Sequence, residues 1–306
     1  MKIVIVGPGA IGSLFAALLS EAGNEVVLLD KDAERARVIT SAGLKIEDTR
    51  ETRVVKVPAS AQARELARPD AVFLCVKAYD TDSALLVAEP VLSEGVAIVS
   101  LQNGAGNVER IASTCPGVPV LCCCTAQGAT SMGTGHVRHA GSGLTRIAPR
   151  IPESSRQTAS EIAAVLAGAG IPTETSEDCL SLVWSKLVIN AAINPLTAIS
   201  NVRNGYLVYD EKLKKQLHRA AQEAAAVARA KGATLAYEDA GMEAERICRE
   251  TAENFSSMVQ DLRKKKKTEI DFINGIVVKE GQSLGIPVEL NERLAVQVSE
   301  LERKQS

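Results

Sequence analysis

The N-terminal segment KIVIVGPGAIGSLFAALL constrains the fold more than any other: a short apolar β run, then Gly7, Gly9 and Gly12 spaced G-x-G-x-x-G, then an apolar helical pattern. In that setting each glycine has its own duty. Gly7 permits a tight turn, Gly9 lets the backbone approach a pyrophosphate, and Gly12 lets the helix pack closely, with phosphate at the positive helix end. The segment therefore predicts dinucleotide binding by Gly7, Pro8, Gly9, Ala10, Ile11 and Gly12.

Further β-rich runs follow, EVVLLD, AVFLCV and VAIVSLQNG, alternating with helical patterns from about Ala10, from about Asp32 and through DSALLVAEPVL. Such alternation calls for a parallel sheet covered by helices on both faces. PVLCCCTA, HVRHAG and LTRIAP read as strands that extend this sheet, and SSRQTASEIAAVLAGAG as a helix closed by Gly170. Beyond residue 176 the periodicity is almost entirely helical. A chain of 306 residues is about two domains long. The expected architecture is thus α/β: a doubly wound dinucleotide-binding sheet domain over 1–176, then an all-α helical bundle over 177–306 that carries the substrate and the catalytic group.

Composition narrows the function. The chain has 46% hydrophobic and 24% charged residues and a formal net charge of -2, which gives no general pull toward nucleic acid or an anionic membrane. Aromatic residues make up only 3%, too few for base-stacking platforms. The apolar N-terminal run is broken by glycines and a proline short of a membrane span and lacks the pattern of a signal peptide, so a cytoplasmic location is expected. Seven cysteines argue against a disulfide framework. Cys122, Cys123 and Cys124 are consecutive and read as small strand hydrophobes, so no metal site is expected. HExxH, CxxC, GxSxG and Walker patterns are absent.

Four more residues lie where such sheets bind ligands. Asp30 ends the second strand, where an acid accepts from a ribose 2′-hydroxyl and suits NAD; Lys31 follows and could neutralise a 2′-phosphate. The same pair also fits an exposed turn. Lys77 and Asn103 follow later strands, and each fits either a ligand site or an ordinary loop.

The helical half contains a conflict. WSKLVINAAINP is apolar enough for a protein interior, yet Lys186, Asn190 and Asn194 recur every four residues. On a helix they form one stripe, drifting ~40° per step over roughly 12 Å. Facing a core, each unpaired head would cost about 1–3 kcal/mol, so something polar must meet them. Pro195 cannot continue the ladder and disfavours helix at Asn194, which predicts a kink or an end there. A second segment, ENFSSMVQDLRKKKKTEIDFINGIVV, offers Asn254, Ser256, Ser257, Asp261 and Glu269, with Thr268 as a candidate N-cap and Lys264 to Lys267 as a solvated face. A protonated lysine can donate to a ketone oxygen as it becomes an alkoxide, while carboxamides and hydroxyls hold a small acid. None of His136, His139 and His218 is placed as a persuasive acid.

The motifs GPGAIG, VKAYDT, SLQNG, WSKLVINAAINPLTAISN, NGYL and SSMVQDLRKKKKTEIDFINGIVV make the chain resemble the ketopantoate reductase family over essentially its whole length. The resemblance implies a Rossmann-type domain followed by a helical domain, and NADPH-dependent reduction of 2-dehydropantoate to (R)-pantoate on the way to pantothenate and coenzyme A. It implies Lys186 as proton donor, and Asn190, Asn194, Asn204 and Ser257, with Asn103, as substrate ligands. The residues from Gly7 to Gly12, Lys77, Asn103, Ala129 and Glu269 would line the cofactor site, with Asp261 in support. The family commonly carries an Arg near the end of the second strand where this sequence has LLDKD. NADPH is therefore the family default and NADH is open because of Asp30. The expected partners are the small-molecule substrate, with no nucleic acid and no membrane, and a homodimer is open. The two halves would form the catalytic cleft. Rival readings are a related dehydrogenase of another small 2-keto or 3-hydroxy acid, and a non-catalytic NAD(P)-sensing protein.

Overall fold

The computed structural model describes residues 1–49 and 51–305. The chain divides into two compact units, one of Met1–Gln102 with Asn107–Cys179, the other of Asn103–Gly106 with Leu180 onward. The loop 103–106 thus belongs with the helices although its neighbours in sequence belong with the sheet.

The first unit contains β1 (Lys2–Val6), α1 (Ala10–Glu21), β2 (Glu25–Leu29), α2 (Ala33–Ala42), β3 (Leu44–Glu47), β4 (Thr52–Val55), β5 (Ala59–Ser60), β6 (Ala71–Leu74), α3 (Thr81–Ala88), β7 (Ala97–Ser100), α4 (Asn107–Thr114), β8 (Val120–Thr125), β9 (Gly128–Gly133), β10 (His136–Gly141), β11 (Thr145–Pro149), α5 (Pro152–Gly168) and β12 (Thr173–Thr175). Eight strands form one sheet in the order β12-β11-β8-β7-β6-β1-β2-β5. It is parallel except where β11 meets β8. Strands β6 and β7 are buried along their whole length, as central parallel strands covered on both faces must be. β1 pairs with β2 on one side and β6 on the other, so the chain leaves it in one direction and later returns on the opposite side. That reversal opens the crevice at the carboxyl end of β1 where ligands bind in such sheets.

HVRHAG does not extend this sheet. As β10 it joins a separate four-stranded sheet, β4-β3-β10-β9. Of its six residues only Val137 is buried, and Arg138 pairs with Glu47 at 3.0 Å. A strand with one solvated face alternates in polarity and cannot replace the continuous apolar runs of the main sheet. α5 ends as expected, with Gly170 at a φ of 74° just beyond its C-cap, Ala169.

The second unit comprises α6 (Cys179–Ser200), α7 (Tyr206–Tyr209), α8 (Glu211–Ala230), α9 (Ala240–Glu250), α10 (Ser257–Arg263), α11 (Ile270–Leu284) and α12 (Glu289–Gln305). α6 is long and apolar enough to cross a membrane, but 67% of its most apolar window is buried within the protein. Its Trp184, Leu187, Val188, Ala191 and Ala192 lie in the same core cluster as the buried alanines of α8.

α6 runs through Pro195 to Ser200 without ending at Asn194. A proline in a helix interior costs about 3 kcal/mol or more, in part because the carbonyl four residues back loses its donor. Here that carbonyl is Ala191 O, and it accepts from Asn274 Nδ2 of α11 at 2.9 Å. The tertiary contact restores what the sequence removes. Thr268 also differs from expectation: α11 starts at Ile270 with Glu269 in the N-cap position, and the Thr268 hydroxyl accepts from the Ile270 N–H at 3.2 Å.

Candidate active site

The glycine loop has the division of labour its spacing implies. Gly7 has a φ of 96°, and a Cβ there would lie 2.7 Å from Val76 Cγ1. A Cβ on Gly12 would lie 2.2 Å from Gly7 O, so that glycine is required by packing within the chain. Gly9 differs. A Cβ there would meet nothing nearer than Cys75 O at 4.0 Å, so the chain itself does not forbid a side chain. Gly9 is the N-cap of α1, whose first turn has no acidic residue, leaving the positive helix end open to an anion above it. These residues fit a dinucleotide pyrophosphate. Removal from water pushes the neighbouring Cys75 thiol up to about 12, which keeps it neutral.

Asp30 is not a free ribose acceptor. It is buried, and Arg35 grips both of its carboxylate oxygens through Nε and Nη2, the second bond at 2.5 Å. The Asp32 N–H adds a third contact at 3.1 Å. The ion pair raises the Arg35 pKa, and the Arg35 side chain stays 38% exposed. Lys31 is exposed and pairs with Asp80 at 3.6 Å. The sequence reading missed Arg35 because Asp30 precedes α2 while Arg35 lies within it, so no helical spacing links them.

Lys77 lies half-buried after β6. Its carbonyl accepts from Gln102 Nε2 at 3.5 Å, and the same amide donates to buried Thr81 at 2.8 Å. The loops after β6 and β7 are thereby tied. Ala129 sits inside β9, opposite His139, in the smaller sheet rather than in a loop at the edge of the main one.

In the helical unit, Lys186 and Asn190 are half-buried and Asn194 is 6% exposed, all on one stripe of α6. The carboxamides of Asn190 and Asn194 and the hydroxyl of Ser257 make no hydrogen bond to any other described residue. Polar heads so placed, with no partner among the described residues, favour a polar ligand. Ser257 opens α10, whose cap is Ser256: the Ser256 hydroxyl accepts from Val259 N at 3.3 Å and from Thr197 Oγ1 of α6 at 2.8 Å. Asn204 is buried, donating from Nδ2 to Thr251 at 2.9 Å, while its Oδ1 has no partner among the described residues.

Asn103 joins this unit rather than the sheet. Its Nδ2 donates to Glu269 Oε2 at 3.4 Å, and Ala105 N donates to Phe272 O at 3.3 Å. Gly104 makes the approach feasible: it has a φ of 90°, and a Cβ there would lie 2.4 Å from Phe272 O. Asp261 is half-buried, and its carbonyl accepts from the N–H groups of Lys264 and Lys266. Lys264 to Lys267 are exposed. His218 pairs with Glu245 at 3.0 Å, far along α8 from the stripe in sequence. Among the described residues no cluster of His, Cys, Asp or Glu is placed to hold a metal ion.

Comparison with known proteins places these features in one family. Residues 3–151 match the model for ketopantoate reductase PanE/ApbA, and residues 178–302 match the model for its C-terminal part. The chain is 38% identical to the 2-dehydropantoate 2-reductase of Archaeoglobus fulgidus, covering 96% of this chain and 95% of that protein. It is 33% identical to the Vibrio cholerae protein of the same name, covering 100% and 99%. Among solved structures, a PanE/ApbA family ketopantoate reductase from Ralstonia eutropha superposes with a TM-score of 0.90 at 36% identity, covering 100% and 99%. D-mandelate dehydrogenase in complex with NADH and anilino(oxo)acetate superposes with a TM-score of 0.92 at 26% identity, covering 100% and 99%.

Proposed function

Because the chain belongs to the ketopantoate reductase PanE/ApbA family, we propose that it reduces the C2 ketone of 2-dehydropantoate to the alcohol of (R)-pantoate, with Lys186 as proton donor. The observation that carries this reading is the α6 stripe: an ammonium on one face with two carboxamides, the carboxamides having no hydrogen-bond partner among the described residues. When bound, the reduced nicotinamide supplies the hydride that C2 accepts. Lys186 Nζ gives its proton to the ketone oxygen as that oxygen takes up charge. Asn190, Asn194, Asn204, Asn103 and Ser257 hold the carboxylate and hydroxyl of the substrate without adding charge. Fixing the ketone against Lys186 supplies much of the acceleration, because positioning replaces a random encounter.

Within the sheet unit the dinucleotide is held by Gly7, Pro8, Gly9, Ala10, Ile11 and Gly12, with Lys77 as a further ligand. We assign NADPH as the preferred form. Asp30 spends its oxygens on Arg35, so it neither accepts from a 2′-hydroxyl nor presents an unbalanced charge to a 2′-phosphate. Arg35 and Lys31 supply positive charge at that place. The structural likeness to D-mandelate dehydrogenase favours one second reading, another 2-keto acid as substrate.

A steady-state panel of 2-keto acids with NADPH and with NADH tests both points. The expected result is the highest kcat/KM for 2-dehydropantoate with NADPH. A preference for another keto acid would replace the substrate assignment. NADH preference in the wild type, relaxed by Asp30→Ala, would overturn the cofactor assignment.

A further inference from the structure

Asn274 lies wholly buried on α11, outside the polar stripe, yet it closes the gap that Pro195 leaves in the helix bearing that stripe. Both of its Nδ2 protons are used, one on Ala191 O at 2.9 Å and one on Asn291 Oδ1 at 2.9 Å. Its orientation is forced. Reversed, its oxygen would face two acceptors, because Asn291 is itself fixed by donating Nδ2 to Ala220 O at 3.1 Å and Glu223 Oε2 at 3.0 Å. Glu223 in turn accepts from the Leu290 and Asn291 N–H groups in the first turn of α12. The chain of donors therefore runs from the interrupted turn of α6 through α11 and α12 to α8.

Ala191 immediately follows Asn190, and Pro195 immediately follows Asn194. The interrupted turn thus begins one residue after Asn190 and contains Asn194, whereas Lys186 lies on the uninterrupted turn before it. On the function proposed above, we propose that Asn274 is a positioning residue: by donating in place of the missing Pro195 N–H, it holds Asn190 and Asn194 in the geometry that binds the keto acid. It touches neither substrate nor cofactor. Its contribution falls on keto-acid binding more than on proton delivery.

The test is a double-mutant cycle of Asn274→Ala and Pro195→Ala on the full-length enzyme, with the KM for keto acid, the KM for NADPH, kcat and Tm measured for all four proteins. Alanine at 195 restores a backbone donor to Ala191 O, so it should make Asn274 dispensable for keto-acid KM, while the lost donor to Asn291 Oδ1 lowers Tm alike in both backgrounds. Expected is a rise of about 10-fold in keto-acid KM for the Asn274→Ala protein, with a smaller fall in kcat and an unchanged NADPH KM. In the Pro195→Ala background the same change should raise that KM by less than about 3-fold. An equal rise of keto-acid KM in both backgrounds, or a loss of Tm without a KM effect, would overturn the proposal. If the single Asn274→Ala protein does not fold, a folded double variant with near wild-type KM supports the proposal, and an unfolded one overturns it. Wild-type turnover of 2-dehydropantoate reports separately on the substrate assignment. Should another keto acid be the substrate, the cycle is run with that acid.

Discussion

The glycine loop of the sheet unit and the polar stripe of α6 prepare for a ligand by opposite means. The loop omits side chains so that backbone N–H groups and a helix terminus can be approached. The stripe adds polar side chains where a core would otherwise exclude them. In the loop the cost of a wrong residue is steric and immediate, as the 2.2 Å approach of a Gly12 Cβ to Gly7 O shows. In the stripe it is electrostatic, since carboxamides of intermediate or low exposure have no partner among the described residues. The two therefore separate experimentally: a stripe variant should keep cofactor binding, and a loop variant should keep the stripe.

The largest effect is expected at Lys186. Lys186→Ala should lower kcat on the order of 10²–10⁴-fold while NADPH affinity, read by fluorescence titration, stays near wild type. Near wild-type turnover in that variant would remove it as the acid. Next comes the contrast within the loop. Gly9→Ala should fold with a Tm close to wild type, because its Cβ meets open space, yet weaken NADPH binding by roughly 10–100-fold. Gly12→Ala should instead lose Tm, and equal Tm losses for the two would contradict the division between ligand approach and packing.

A smaller change is expected for Arg35→Ala. It removes the positive charge and releases Asp30, so the ratio of kcat/KM for NADPH over NADH should fall about 10-fold, with NADH improving. Asp30→Ala should also weaken NADPH without improving NADH. The smallest effect lies outside both sites. Bonds from Arg249, His218 and Lys214 hold the Glu245 carboxyl down at about 2, against an ordinary value of 4.5. A depressed folded pKa stabilises the fold above the unfolded value and loses that stability as pH falls from about 4.5 toward 2. Tm should decline through that window, and Glu245→Gln should flatten the decline; an unchanged slope would rule out Glu245 as its source.

How much of this was legible in the sequence depended on whether the partner was local. The glycine loop, the buried parallel strands and the long amphipathic helices are read from neighbours a few residues apart, and so is the stripe. The smaller sheet was not, because β3, β4 and β9 are weakly apolar and acquire identity only by pairing, β3 and β9 with β10 and β4 with β3. Asp30 looked like a ribose ligand because its occupant, Arg35, approaches from a different element. Pro195 looked like a helix end because its remedy, Asn274, lies 79 positions later in the chain. Local rules describe what a residue needs; only the fold says who supplies it.

The tetrapeptide Asn103–Gly106 carries a consequence for any attempt to treat the two halves as interchangeable modules. The polypeptide enters the helical unit, leaves it after four residues, and enters again at Leu180, so the unit is not one continuous stretch of chain. A fragment beginning at Leu180 would lack Asn103 beside Glu269 and would leave the Phe272 carbonyl without the Ala105 donor. A chimera that grafts this helical half onto another dehydrogenase must therefore transplant residues 103–106 with it.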